Sequence, residues 1–218
     1  MLASLRKAIV QGTFTVYAAI VVFPMVWLGY TSFKTTEEIF ADAWSLPEVW
    51  SLTNFTEAWS EAQIGDFFWN SIFVTVSTLL LQLFLGSMAS YSLAKYQFRG
   101  SRLLYYAFLA GLMFPIFLGL VPLFFLMKYL QLLNSHLGLI LVYAAFGLPF
   151  TIFVLTAFFR TIPTTIMEAG IVDGCSHFKL YWNVMLPLAK PGIVTVGIFT
   201  FISIWNEYIL ALILLSSS

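Results

Sequence analysis

The chain has 218 residues, of which 61% are hydrophobic and 9% charged, and its formal charge is zero. Soluble domains average roughly 45–50% and 25%, so a soluble globule of this size could not hide the apolar surface and lipid must be the solvent. The charge balance excludes a basic field for nucleic acid, and the single cysteine, Cys175, excludes an intramolecular disulfide.

Arg6 and Lys7 form a short basic N-terminus, 1–8, ahead of an apolar segment at 9–33. The segment is too long for a signal-peptide core and lacks a small-residue cleavage site, so it reads as a retained first span at about 9–30. Pro24 is a candidate kink. Residues 34–66 follow as a polar loop carrying Glu37, Glu38, Asp42, Glu48, Glu57, Glu61 and Asp66, with Trp44, Trp50 and Trp59 interleaved and Trp69 just beyond. A short interfacial helix is predicted at about 52–62, with its aromatic side on the headgroups.

The remainder, 67–218, reads as one core of four more spans. The second, about 67–94, has a small-residue face of Gly86, Ser87, Ala89 and Ser90, suited to close helix packing. The third, about 103–127, contains Pro115 and Pro122. The fourth, about 137–159, contains Pro149, and the fifth is about 188–215. Such prolines free backbone carbonyls, which neighbouring helices or a cavity must satisfy.

Between the fourth and fifth spans lies the only long polar interruption of the core, a loop at 161–187. Pro163 suits the first position of a helix. Thr165 and Glu168 have capping-box spacing. Gly174 can end that helix in a left-handed conformation. Phe178, Tyr181, Trp182 and Met185 then mark a second short helix, which Pro187 and Pro191 are expected to stop. A helix–turn–helix outside the membrane is the prediction. Its apolar residues Met167, Ile171, Phe178 and Tyr181 are expected to form an exposed face, which requires a partner.

Orientation follows from the basic residues. A cytoplasmic N-terminus places Arg6, Lys7, Lys95, Arg99, Arg102, Arg160, Lys179 and Lys190 inside and only Lys34 and Lys128 outside. That agrees with the positive-inside rule and puts the 161–187 loop in the cytoplasm.

No catalytic constellation is visible. There is no phosphate loop of the form GxxxxGK[ST], so the chain is not expected to bind ATP, and no cofactor or metal site is expected. His136 and His177 fall on opposite sides of the membrane. His136 reads as an interfacial turn residue; His177 and Cys175 read as packing against the body of the loop. Asn206 and Glu207 stand out within the fifth span. At ~1.5 Å per residue from Lys190, Glu207 sits roughly 25 Å in. An ionisable group there faces a polar path or the bundle interior, unless it lies near enough to the outer interface to reach water.

Four elements at fixed spacing carry a family likeness: Glu168-Ala169-Gly170, Asp173-Gly174, Val184 and Leu186-Pro187. They resemble the EAA loop of bacterial ABC importer permeases, with Gly170 in place of the second Ala and Val184 in place of Ile. Thr31-Ser32-Phe33-Lys34, Asn70-Ser71-Ile72, Tyr96-Gln97-Phe98-Arg99-Gly100, the run from Leu133 to Leu141 and Trp205-Asn206-Glu207 are similar to the carbohydrate, maltose-type branch. The resemblance implies an all-α type I importer transmembrane fold and a non-catalytic sugar permease in a bacterial or archaeal cytoplasmic membrane. It implies partners too: ATPase subunits, a second permease subunit and an extracytoplasmic sugar-binding protein. Glu168, Ala169, Gly170, Asp173, Gly174, Leu186 and Pro187 would dock the ATPase, and Asn206 and Glu207 would border the translocation path. Six spans are usual in that branch, so a sixth is expected beyond Ser218, and the chain reads as a truncated chain or gene fragment. Importers of polyamines, anions or peptides share the EAA loop and are the alternative. An intramembrane enzyme would need paired acids or a Ser/His set within the spans. The sugar itself is not specified.

Overall fold

The computed structural model describes residues 2–215 and is all-helical over them, with no strand among the described residues. The helices in chain order are α1 (Leu2–Thr31), α2 (Thr36–Ala41), α3 (Thr53–Ser60), α4 (Ile64–Lys95), α5 (Ser101–Leu112) and α6 (Ile116–Tyr129). They continue as α7 (His136–Thr161), α8 (Thr164–Val172), α9 (His177–Leu180), a π-helical turn (Tyr181–Met185), α10 (Leu186–Leu188), α11 (Lys190–Trp205) and α12 (Ile209–Leu214). The chain forms two compact units, Met1–Trp69 and Asn70–Ser218.

In the first unit, α1 exposes apolar side chains such as Phe14, Tyr17, Ile20 and Met25 along its length, so lipid or protein must cover it. The loop after it is ordered by Lys34, which is fully buried. Its ammonium donates to the carbonyls of Asp42 and Ser45 and to the Ser45 hydroxyl. Trp27 donates to the Ala43 carbonyl at 2.9 Å, and Asn54 reaches back to the carbonyls of Ser32 and Lys34. A short helix, α3, stands where one was predicted at about 52–62. α2 lies in a stretch read as loop; its signal was a capping box in which Glu38 N–H donates to the Thr35 hydroxyl and Thr35 N–H to the Glu38 carboxylate.

In the second unit, α7 packs against α5, α11 and the later part of α4. Gly86 lies against Thr151 of α7, where a Cβ would sit 2.3 Å from the threonine methyl, so the small-residue face does allow close approach. One apolar cluster gathers Leu155, Phe159, Met167, Leu180, Met185 and Val196; another gathers Val74, Met127, Leu139, Val142, Leu210 and Leu214.

Three helices, Ser4–Thr31, Ile64–Lys95 and His136–Thr161, are each long and apolar enough to cross a membrane, and two bent pairs bring the total to as many as five. The expected third span is therefore not one helix: α5 and α6 meet at 102°. Pro115 caps α6 and holds Phe114 out of helical conformation, which ends α5. Pro122 and Pro149 stay inside α6 and α7. The expected fifth span is also interrupted, because α11 ends at Trp205 and α12 begins at Ile209.

Candidate functional site

The loop after α7 begins at Pro163, which serves as the N-cap of α8 and makes no side-chain cap bond. The capping box expected at Thr165 and Glu168 is not formed. Pro163 keeps Ile162 extended and starts the helix two residues earlier, so Thr165 already lies inside it. Gly174 has φ +78°, as expected of a helix stop. Around it, Gly174 N–H donates to the Ile171 carbonyl and Cys175 N–H to the Gly170 carbonyl, the paired bonds of a Schellman cap.

Ser176 then caps α9 through Lys179 N–H. Pro187 and Pro191 do not stop the helix. Pro187 cannot donate and its ring crowds the carbonyl four residues back. The chain accommodates this by widening into the π-helical turn, where Leu186 N–H reaches the Tyr181 carbonyl. The break falls at Ala189, with a 72° bend into α11, and Pro191 lies in the first turn of α11.

α8 and α9 fold onto each other and bury Leu180 completely. Gly170 makes this possible, since a Cβ there would lie 2.6 Å from the Leu180 Cδ1. The glycine that departs from the EAA pattern thus faces the partner helix. The expected exposed face is half corrected. Met167 and Tyr181 are 8% and 4% exposed, inside the core, whereas Val172 and Phe178 are 86% and 69% exposed, with Ile171 beside them. Periodicity alone could not tell which apolar stripe of a paired helix faces its neighbour. Glu168, Ala169, Asp173, Gly174 and Pro187 are exposed, and Leu186 is half-buried.

Polar contacts tie this loop to α4. The Tyr181 and Ser87 hydroxyls bond at 2.8 Å. Tyr96 links His177 Nδ1, at 2.9 Å, to the Tyr91 hydroxyl, at 3.1 Å, and Lys95 donates to the Ile162 carbonyl. His177 therefore does more than pack on its own loop, as expected of it; Cys175 does pack against the core. These links join residues far apart in sequence and had no signal there. His136 opens α7 with its ring against Phe73.

A cavity of about 330 Å³ lies in the second unit. α4 contributes Gln82, α7 contributes Tyr143, Phe146 and Phe150, and α11 contributes Phe199 and Ser203. Glu207 closes one side from the α11–α12 break, outside the continuous helix expected around it. Its Oε1 accepts Leu210 N–H at 2.8 Å, and its Oε2 accepts Ala211 N–H at 3.2 Å and the Tyr143 hydroxyl. The carboxylate thus satisfies the opening N–H groups of α12. Asn206 is separated from it: its amide donates to the Ile202 carbonyl at 2.8 Å, it is exposed, and it does not line the cavity. The sequence reading missed Gln82, which is buried. Its Nε2 has two hydrogens for three acceptors, the Gly147 carbonyl and the hydroxyls of Thr151 and Thr200.

The family model described as "Binding-protein-dependent transport system inner membrane component" matches residues 82–218. The chain belongs to that family. It is 46% identical over 203 residues to a diacetylchitobiose uptake system permease protein of Streptomyces coelicolor, covering 93% of this chain and 67% of that one. It is 34% identical over 198 residues to a trehalose transport system permease protein of Mycobacterium tuberculosis, covering 91% and 72%. A crystal structure of a bacterial ABC transporter involved in import of the acidic polysaccharide alginate aligns with TM-score 0.85 at 24% identity, over 99% of this chain and 75% of that one. The fold is that of an ABC importer permease. Membership makes the chain a multi-pass membrane component without catalytic activity, in an importer whose ATPase is a separate subunit.

Proposed function

We propose that this chain is one of two permease subunits of a sugar importer in a bacterial or archaeal cytoplasmic membrane, with its N-terminus inside. The observation that carries this is the loop at 161–187. It keeps an acid and an apolar patch, Glu168 with Ile171, Val172 and Phe178, on the outside while its other side is fixed to α4. Glu168 makes no hydrogen bond or ion pair among the described residues and is available to a basic residue of an ATPase. Closure of two ATPase subunits on ATP would draw this loop toward that of the second permease. The bundle would then open outward to an extracytoplasmic sugar-binding protein and return inward after hydrolysis. Residues 34–66 would face that binding protein. Named relatives act on diacetylchitobiose and trehalose, which supports a sugar. The cavity lining holds an acid and no base, which disfavours an anion.

The test is to purify the transporter with Glu168→Ala or Phe178→Asp and to measure retained ATPase subunit and sugar-stimulated ATP hydrolysis. Both side chains are exposed, so the fold is expected to stand. Coupling should fall at least fivefold in each. Wild-type ATPase retention and wild-type coupling in both variants would sink the docking role.

A further inference from the structure

We infer that α4 carries movement of the 161–187 loop into the bundle, and that Ser87 and Tyr181 are the positioning residues of this transfer. It rests on the reading of the loop as an ATPase dock and adds which span receives the motion. Both covalent ends of the loop are joints. At the entry, Ile162 and Pro163 leave the helical conformation, with ψ 124° and 139°. At the exit, the π-helical turn is followed at Ala189 by a 72° bend into α11. A few dihedrals at such breaks absorb motion rather than pass it along the next helix. An apolar cluster also presses the loop on α7 and α11. Apolar burial is non-directional, however, and packed helices slide on one another.

α4 is built differently. It runs unbroken over 32 residues and contains no proline. Three hydrogen bonds hold separate points of the loop to its last part and to the residue after it. They join Lys95 to the Ile162 carbonyl, Tyr96 to His177 and Ser87 to Tyr181. At ~1.5 Å per residue, Ser87 and Lys95 lie about 12 Å apart along the axis, so turning the loop turns α4. The Ser87–Tyr181 bond is the best shielded, with its two residues 3% and 4% exposed. Ser87 gives its hydrogen to the Phe84 carbonyl, so the Tyr181 hydroxyl donates to Ser87. Further back along α4, Gln82 bonds Thr151 of α7 and Thr200 of α11. α4 thus meets both neighbouring spans again on the far side of the two joints.

The experiment reconstitutes the complete transporter with its external binding protein in proteoliposomes. It measures labelled trehalose and labelled diacetylchitobiose taken up per ATP hydrolysed. Tyr181→Phe removes one oxygen and strands no partner, since Ser87 keeps the Phe84 carbonyl. Its ATPase retention and melting temperature should stay at the wild-type level while the sugar moved per ATP falls at least fivefold. Ser87→Ala strands the Tyr181 hydroxyl and should melt lower, with the same fall in the ratio. The double variant should be coupled no worse than either single one, as expected of two groups acting through one bond. Ser92→Ala, whose hydroxyl bonds the Met88 carbonyl of its own helix, should leave the ratio unchanged. A wild-type ratio in Tyr181→Phe and Ser87→Ala, whatever their melting, makes the bond merely structural and overturns the transfer. So does an equal fall in Ser92→Ala, or losses that add in the double variant. Glu168→Ala and Phe178→Asp, measured alongside, separate the two readings. Lowered coupling there with a wild-type ratio in Tyr181→Phe and Ser87→Ala overturns the transfer alone. Wild-type ATPase retention and coupling in the docking variants overturns the dock and the transfer with it. A wild-type transporter that takes up neither sugar overturns the importer reading and everything that rests on it.

Discussion

Two of the helix stops in the second unit are built in contrasting ways. At Gly174 the backbone makes the stop, with a left-handed residue and two local N–H to carbonyl bonds. Between α11 and α12 a side chain does the work, as Glu207 takes the first N–H groups of α12 and the Tyr143 hydroxyl. A stop made by backbone tolerates change in everything except its glycine. A stop made by one carboxylate in apolar surroundings fails with that carboxylate, and leaves several polar groups unsatisfied at once.

The largest expected effect is therefore at Glu207. Glu207→Leu strands two N–H groups and a phenol, each worth about 1–3 kcal/mol when left unsatisfied in a buried site. Thermal unfolding of the purified complex should fall by several degrees and uptake should be lost, while Glu207→Gln, which still accepts, should keep most of both. Equal melting of the Leu variant and the wild type would refute the capping role.

The next effect is at Gly174. Gly174→Val puts a β-branched residue at φ +78°, at a cost of about 1–2 kcal/mol. The spans should still insert, and the loss should show as reduced ATPase retention rather than as reduced membrane yield. Retention at the wild-type level would mean the turn can reorganise and the contrast between the two stops is weaker than drawn.

The smallest effect is at Gly170. Gly170→Ala gains about 1 kcal/mol of helix propensity but forces the Leu180 Cδ1 to move, an overpacking cost of roughly 1–3 kcal/mol. A net loss of about 1 kcal/mol or less is expected in chemical denaturation. A clear gain in stability would show that Leu180 has room to move.

This ranking also explains what was legible in the sequence. Gly174 was readable because a glycine after a helical run is a local signal. The helices α3 and α7 were readable from composition and period. Pro115 was seen but placed inside a continuous third span, since whether a proline is tolerated in a span or breaks it depends on what receives the freed groups. The break before α12 was invisible because its cause lies in the Glu207 carboxylate and in Tyr143, which is 64 residues away. Gln82 was missed for the same reason: an amide in an apolar run is notable only once Thr151 and Thr200 are seen around it. The apolar face of the loop was half misread because the folding of α8 on α9 decides which stripe is covered.

Lys34 points to an order of events during synthesis. Its acceptors all lie within 11 residues of it, so the loop after α1 can close as soon as residue 45 has been synthesised. Gln82 instead waits for Thr200, 118 residues later. Short-range contacts form early and long-range ones late. The first unit can therefore mature while the second is still being threaded into lipid, and the Gln82 amide of α4 finds its acceptors first on α7 and last on α11.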